Sequence, residues 1–202
     1  HERLVGSEMC IRDRANMACD YGYRLILILA GMTDSLRIQT QERVDEGFIG
    51  AISSSIGQAS IEYVGVGKFE CCHYAIPLTN NISDFEGLNA TSSDFAKPQV
   101  LVVKKNKSIL TNVKHWLKPG SLNIASRNIL IIDDVVANGW AAEGLYDICV
   151  QAGATVAGIG CAIEKAYQQG GKRLRSKGIR IESLAKIEEI DLEERKVKFC
   201  LE

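Results

Sequence analysis

Two adjacent carboxylates, Asp133 and Asp134, stand just ahead of Asn138-Gly139 in the stretch NILIIDDVVANGWAAEG, Asn128 to Gly144. Ionised carboxylates only accept hydrogen bonds, which suits them to sugar hydroxyls or to a hydrated magnesium ion. Gly139 tolerates positive φ and lets backbone come close to an anion, Asn138 is one of the few other residues at ease there, and Ala137 and Ala141 leave the space uncrowded. The pattern suits a loop that holds a phosphate, with acids beside it for a polyol or metal. A buried strand whose terminal acids cap the next helix would read the same way, and spacing alone leaves both open.

Such a site needs a strand, a tight turn and a helix. Asn128 to Ile132 is an apolar run, and after the turn Leu145, Ile148, Cys149 and Ala152 recur at helical spacings of three and four. At the end of a parallel strand the loop faces the ligand crevice of an open α/β sheet. The free N–H groups at the start of the next helix point into that crevice with the positive end of the helix dipole.

The 202 residues suffice for one or two domains, and 46% hydrophobic with 24% charged residues permits a sizeable core. A net charge of -1 and a pI near 6.4 give no bulk attraction to nucleic acid or membrane. The longest apolar run, Leu25 to Ala30, is too short to span a bilayer. Cys10, Cys19, Cys71, Cys72, Cys149, Cys161 and Cys200 form no CxxC pair, which points to reduced thiols and a cytoplasmic setting. Cys71, Cys72 and His73 would alternate in direction along a strand, so no metal site is expected there.

Along the chain, His1 to Arg14 shows neither an apolar signal region nor a period. Residues 1–18 read as a non-native or disordered leader, SEMCIRDR at Ser7 to Arg14 being the non-native part. Tyr23 to Ala30 reads as a buried strand. Thr33-Asp34 then caps a polar helix, SLRIQTQERV, with Leu36, Thr40 and Val44 on one side and Arg37, Gln39, Gln41 and Arg43 as a solvated face. Glu62 to Lys68 and His73 to Leu78 alternate as strands do, and Thr79 to Pro98 reads as a long loop. Val100 to Val103 is a buried strand, followed by an amphipathic helix with Ile109, Leu110, Val113 and Leu117 inward. Lys104, Lys105 and Lys107 stand at that strand's exit, where lysines could meet phosphates, although a solvated charge run is the commoner pattern. Lys118-Pro119-Gly120-Ser121 breaks the helix and divides an α/β segment, 19–118, from a second part, 119–202. In the second part Thr155 to Ile163 is a strand whose Gly158 and Gly160 admit a close neighbour. Lys172 to Lys177 is a short basic helix closed by Gly178, and Arg180 to Ile187 and Lys196 to Leu201 are the last strands.

ILIIDDVVANGWA is similar to the phosphoribosyltransferase signature. With QAGATVAGIGCAIEKAYQQG, GIRIESLAKI and KVKF it resembles the bacterial xanthine phosphoribosyltransferase family over Ser121 to Glu202. The resemblance implies transfer of a phosphoribosyl group from phosphoribosyl pyrophosphate (PRPP), bound with Mg2+, to xanthine, in purine salvage and in a homodimer. It implies that Ala137, Asn138, Gly139, Trp140 and Ala141 hold the 5-phosphate, that Asp133 and Asp134 approach the ribose hydroxyls or the metal, that Lys165 contacts the base, and that Tyr167 stacks on it. Guanine and hypoxanthine stay open as bases. The family's pyrophosphate loop, catalytic loop and xanthine contacts have no counterpart before Ser121. IGAISSSIGQAS at Ile49 to Ser60 is only superficially like the first of these.

Upstream, LAGMTDSLRIQTQERVDEGFIGA, IPLTNNISDF and VLVVKKNKSILTNVKHWL resemble part of the helicase-like domain of certain bacterial endonucleases. That likeness implies contact with a nucleic-acid backbone. The GxxxxGK[ST] phosphate loop such NTPases require is absent, so neither ATP hydrolysis nor a nucleic-acid partner is expected. The two resemblances suggest a chimera joined across the IIDD strand that both families possess, by recombination or by assembly. The expected fold is α/β, with a parallel-sheet, phosphoribosyltransferase-like C-terminal half and an α/β N-terminal segment whose packing stays open.

Overall fold

LILILA at Leu25–Ala30 forms strand β1 with every side chain buried, because β1 is an interior strand of a sheet covered on both faces. The computed structural model describes residues 5–55, 75–87, 97–117 and 128–200, with side chains from Ile11 onward except Ser55. Before β1 lies α1 (Val5–Asp20), and after it α2 (Asp34–Val44). Then come β2 (Ile76–Pro77), β3 (Gln99–Lys104), α3 (Lys107–Trp116), β4 (Asn128–Val136), α4 (Trp140–Gln151), β5 (Thr155–Lys165), α5 (Gly170–Ser176), β6 (Ile181–Asp191) and β7 (Lys196–Phe199). The sheet order is β2-β3-β1-β4-β5-β6-β7, parallel except for β7 against β6. This is the mostly parallel α/β sheet expected. It also runs across residue 118, since β1 pairs with β4 from Leu25 opposite Ile129 to Leu29 opposite Asp133.

Period-two alternation sorts the core between the faces. Leu25, Leu27 and Leu29 join Leu101, Ile129 and Ile131 on the side closed by Val113 of α3 and by Leu145 and Cys149 of α4. Ile26, Ile28, Val100, Val102 and Ile132 lie on the other, against α1 and the Val44–Ile49 region that follows α2. Each Leu or Ile so buried contributes about 1.5–3 kcal/mol.

Among the described residues the predicted elements correspond to β1, α2, β3, α3, β4, α4, β5, α5, β6 and β7, whereas the described part of the strand expected at His73 to Leu78 is strand only over Ile76–Pro77. Three further differences stand out. Residues 5–20, given no element by their pattern, form α1. Its packed side is Ile11, Ala15, Ala18 and Cys19, mostly small side chains whose helical spacing carries little hydrophobic contrast. Arg14 crosses Gly160, where a Cβ would stand 2.4 Å from Nη1, and donates to the Glu182 carbonyl at 3.2 Å. Secondly, Arg37 and Gln41 are not solvated, being 1% and 0% exposed. Arg37 Nη1 donates to the Asn80 carbonyl at 2.7 Å, and its Nε lies 3.9 Å from Asp84. Gln41 Nε2 donates to Asp45 at 2.9 Å, while Thr79 Oγ1 donates to Gln41 Oε1 at 2.8 Å. Neither side chain is left for a nucleic acid. Thirdly, the acids of β4 lie within the strand, because its ladder with β5 continues to Val136 opposite Glu164.

The predicted strand at Glu62 to Lys68, the Cys71-Cys72-His73 run and the Lys118 to Ser121 breaker lie outside the described residues. Cys19, Cys149, Cys161 and Cys200 are free thiols. Burial pushes the first three up to about 11, 12 and 11 respectively, so they pack as small apolar groups.

The polar chain under α2 is closed: Val102 N donates to Thr79 Oγ1 at 2.9 Å, and Asp45 also accepts from Ser53 N and Oγ at 2.8 and 2.7 Å. Thr79→Val leaves both Gln41 Oε1 and Val102 N–H buried without partners. It is expected to lower unfolding free energy by about 2 kcal/mol, read as a lower urea midpoint at unchanged slope.

Candidate active site

The chain leaves β1 toward α2 on one face, whereas it leaves both neighbours, β3 and β4, toward α3 and α4 on the other. Divergence of connections between adjacent parallel strands opens a crevice at their carboxyl ends. Here it lies above Ala30 and Gly31, flanked by Lys105 and by the acids of β4.

Strands β3 and β4 are separated by the width of β1, hence by about 10 Å. Lys105 closes that gap. Its Nζ stands 2.6 Å from Asp133 Oδ1, donates to Asp134 Oδ1 and donates to the Val135 carbonyl at 3.1 Å. The contact with Asp133 is an ion pair without hydrogen-bond alignment, so that buried oxygen has no hydrogen-bond partner among the described residues. Asp133 is 2% exposed. Burial pushes its pKa up to about 7, against the pull of Lys105 and with some help from Asp134. Burial alone would lower Lys105, but attraction to Asp133 and Asp134 outweighs it and raises the lysine. Lys105 is therefore a half-buried member of the site, not part of a solvated charge run. The alternation of β3 could not reveal this, because the residue acts beyond the strand's end and across its neighbour.

Gly139 takes φ 72, the left-handed conformation, and caps α4. No side chain caps that helix, so its first-turn N–H groups stay open to a ligand. Asn138 and Trp140 are exposed, Ala137 and Ala141 half-buried. The start of α5 presses on the turn: Gly170 N donates to the Ala137 carbonyl at 3.1 Å, and a Cβ on Gly170 would stand 2.2 Å from that oxygen. Beside the turn a cleft of about 370 Å³ is lined by Lys105, Lys107, Lys114, Trp140 and Ala141.

Lys165 lies one strand along the same edge, opposite Ile187 and half-buried, with Tyr167 44% exposed just beyond it. Its neighbour Glu164 is engaged elsewhere, by Arg175 at 2.6 and 2.7 Å and by Ser183 Oγ at 2.6 Å. The Arg175 hydrogen bond leads the effects that hold Glu164 below its usual value. The structure thus groups Asp133 and Asp134 with the start of the loop and sets Lys165 and Tyr167 farther along the rim. Among the described residues no group of three His, Cys, Asp or Glu side chains could hold a metal. No helix among them is long and apolar enough to cross a membrane.

Sequence reasoning missed Glu143 and Arg173. Glu143 is buried in the first turn of α4 and receives Arg173 Nε at 2.7 Å together with Lys177. The spacing of Arg173 on α5 and Lys177 at its C-cap would have signalled a shared face, but not its partner.

No protein-family model matches the chain. Over 105 residues it is 46% identical to a xanthine phosphoribosyltransferase of Bacillus cereus (strain AH187), across 48% of this chain and 53% of that protein. The xanthine phosphoribosyltransferase of Bacillus anthracis (strain A0248) matches equally at 46%, and that of Bacillus cereus (strain B4264) at 45%. About half of this chain resembles a xanthine phosphoribosyltransferase. The chain spans about half the length of the curated relatives it matches. Adenine phosphoribosyltransferase from Rhodothermus marinus DSM 4252 is a solved structure with 30% identity and a TM-score of 0.30, over 36% of this chain and 38% of that one.

A carboxyl with a folded pKa of about 7 binds more protons in the folded than in the unfolded chain, where the value is near 4. Its contribution to stability therefore falls as pH rises from about 4 to about 7. Asp133→Asn removes that loss, and urea titrations at pH 5 and pH 8 are expected to favour the variant increasingly toward the higher pH.

Proposed function

We propose that the site performs phosphoribosyl transfer from PRPP to xanthine, giving XMP and pyrophosphate in purine salvage. The observation that carries this reading is the left-handed turn at Gly139, opening an uncapped helix directly after the buried Asp133 and half-buried Asp134 at the crevice. The 46% identity to xanthine phosphoribosyltransferases over half the chain supports the choice of base. In this reading the backbone of Ala137, Asn138, Gly139, Trp140 and Ala141 holds the 5-phosphate. Asp133 and Asp134 face the ribose hydroxyls, Lys165 donates to an oxygen of the purine and Tyr167 lies against its ring.

A purine nitrogen forms its bond to ribose C1 as the bond from C1 to the pyrophosphate oxygen breaks, and the proton of that nitrogen is released to solvent or to the pyrophosphate. Orientation of the two substrates and compensation of charge carry most of the rate. The Asp133 oxygen, met by Lys105 as an ion pair but by no hydrogen bond among the described residues, and the half-buried Asp134 are hard donors suited to magnesium that keeps most of its waters. When bound with PRPP, magnesium supplies positive charge against the departing pyrophosphate. Lys105 supplies further positive charge from the chain at the same acids. A cytoplasmic homodimer is the setting that goes with this assignment.

Calorimetric titration of the chain with PRPP and magnesium tests the reading, followed by XMP formation from xanthine. Saturable binding is expected, weakened at least tenfold, or about 1.4 kcal/mol, in Gly139→Val. That side chain is strained at φ 72 and meets Gly170 Cα at 3.2 Å already through its Cβ. Circular dichroism establishes that the variant stays folded. A folded wild-type chain that binds no PRPP would overturn the proposal.

A further inference from the structure

An anion held by backbone N–H groups is repelled by any carbonyl that turns into the same pocket, so each carbonyl of the loop needs a partner outside it. Three consecutive carbonyls here have one. Ala137 O accepts from Gly170 N at 3.1 Å, Gly139 O accepts from Glu143 N at 2.9 Å, and Asn138 O accepts from Arg173 Nη2 at 2.7 Å. The first and second are backbone bonds that the packing of α4 and α5 provides. The third depends on one side chain.

Arg173 is fixed for that task from three sides. Its Nε donates to buried Glu143 at 2.7 Å, its guanidinium lies 3.4 Å from the centroid of the Trp140 ring, and its fork still reaches Asn138. Lys177 pairs with the same Glu143, and among the described residues no hydrogen bond or ion pair joins its side chain to the loop. Trp140 is 68% exposed, so apart from the guanidinium little protein covers its ring.

We infer that Arg173 is a positioning residue for the 137–141 loop: it turns the Asn138 carbonyl outward and steadies Trp140, so that the loop presents N–H groups alone to a phosphate. This rests on the phosphoribosyl reading of the loop. It assigns to α5, absent from the sequence-derived site, control of affinity for the 5-phosphate end of the substrate.

Ribose 5-phosphate is the probe, titrated into the full chain alongside PRPP with magnesium. Arg173→Met and Arg173→Lys are both expected to weaken ribose 5-phosphate about tenfold or more, because lysine keeps the charge but not the planar fork. Lys177→Met, which removes an equal charge from Glu143, is expected to stay within about twofold. Trp140 emission changes in both Arg173 variants, while Trp116, 7% exposed, serves as the internal reference. Wild-type affinity in Arg173→Lys would mean that charge alone matters, and would overturn the inference. A ligand-free arm separates it from the functional reading: amide exchange at Gly170 and Glu143, whose N–H groups hold the neighbouring carbonyls, should accelerate about tenfold in Arg173→Met. If wild type binds neither phosphate compound, the functional reading falls, and unchanged exchange at those amides overturns the positioning role as well.

Discussion

Two adjacent carboxylates near the middle of a sheet would each cost several kcal/mol if left uncompensated. Here the compensating charge comes from two strands away. Lys105 leaves the end of β3, passes over the end of β1 and reaches Asp133 and Asp134 on β4. That crossing requires β1 to stop short, which it does at Ala30. Gly31 then admits Leu36 of α2, whose Cδ1 would lie 2.5 Å from a Cβ there, and its carbonyl accepts from Lys105 N at 3.3 Å. The charge balance of the site therefore depends on the order β3-β1-β4, and it joins residues from both sides of residue 118.

The other side of the crevice is set by close backbone contact. Gly170 seats α5 on the Ala137–Gly139 turn, and Gly171 leaves room for Glu164, whose Oε1 would stand 1.8 Å from a Cβ at that position. Glu164 in turn is satisfied by Arg175 and Ser183, and Glu143 by Arg173 and Lys177. Short α5 could not hold itself in place by helix propensity. It is held by Leu174 in the core and by two acids that face its basic side chains.

Much of this was legible before the structure. The apolar runs of β1, β3, β4 and β5 are nearly unbroken because buried parallel strands have no polar face to display. The Asn138-Gly139 turn was legible because few residue types accept positive φ, and the Thr33 cap because its hydroxyl accepts from Leu36 N at 3.4 Å. Helix α1 was not legible, since its buried stripe is half alanine and contrasts poorly with its surroundings. Arg37 and Gln41 read as solvent-facing because pattern assigns polar residues to water, and it cannot see Asn80 or Thr79 arriving from a distant loop.

The same division holds at the site. The sequence by itself determined the strand, acids, turn and helix from Asn128 to Gly144, because each depends on local backbone preference or on residue type. It also placed Lys165 at a strand exit. Tertiary structure decided that Lys105 neutralises the acids, that Arg173 holds the Asn138 carbonyl, and that Glu164 belongs to Arg175 and not to its neighbour Lys165. Each is a contact of a charged side chain with a group on another element. A long flexible lysine or arginine has no preferred partner until the sheet order and the seating of α5 bring one within reach.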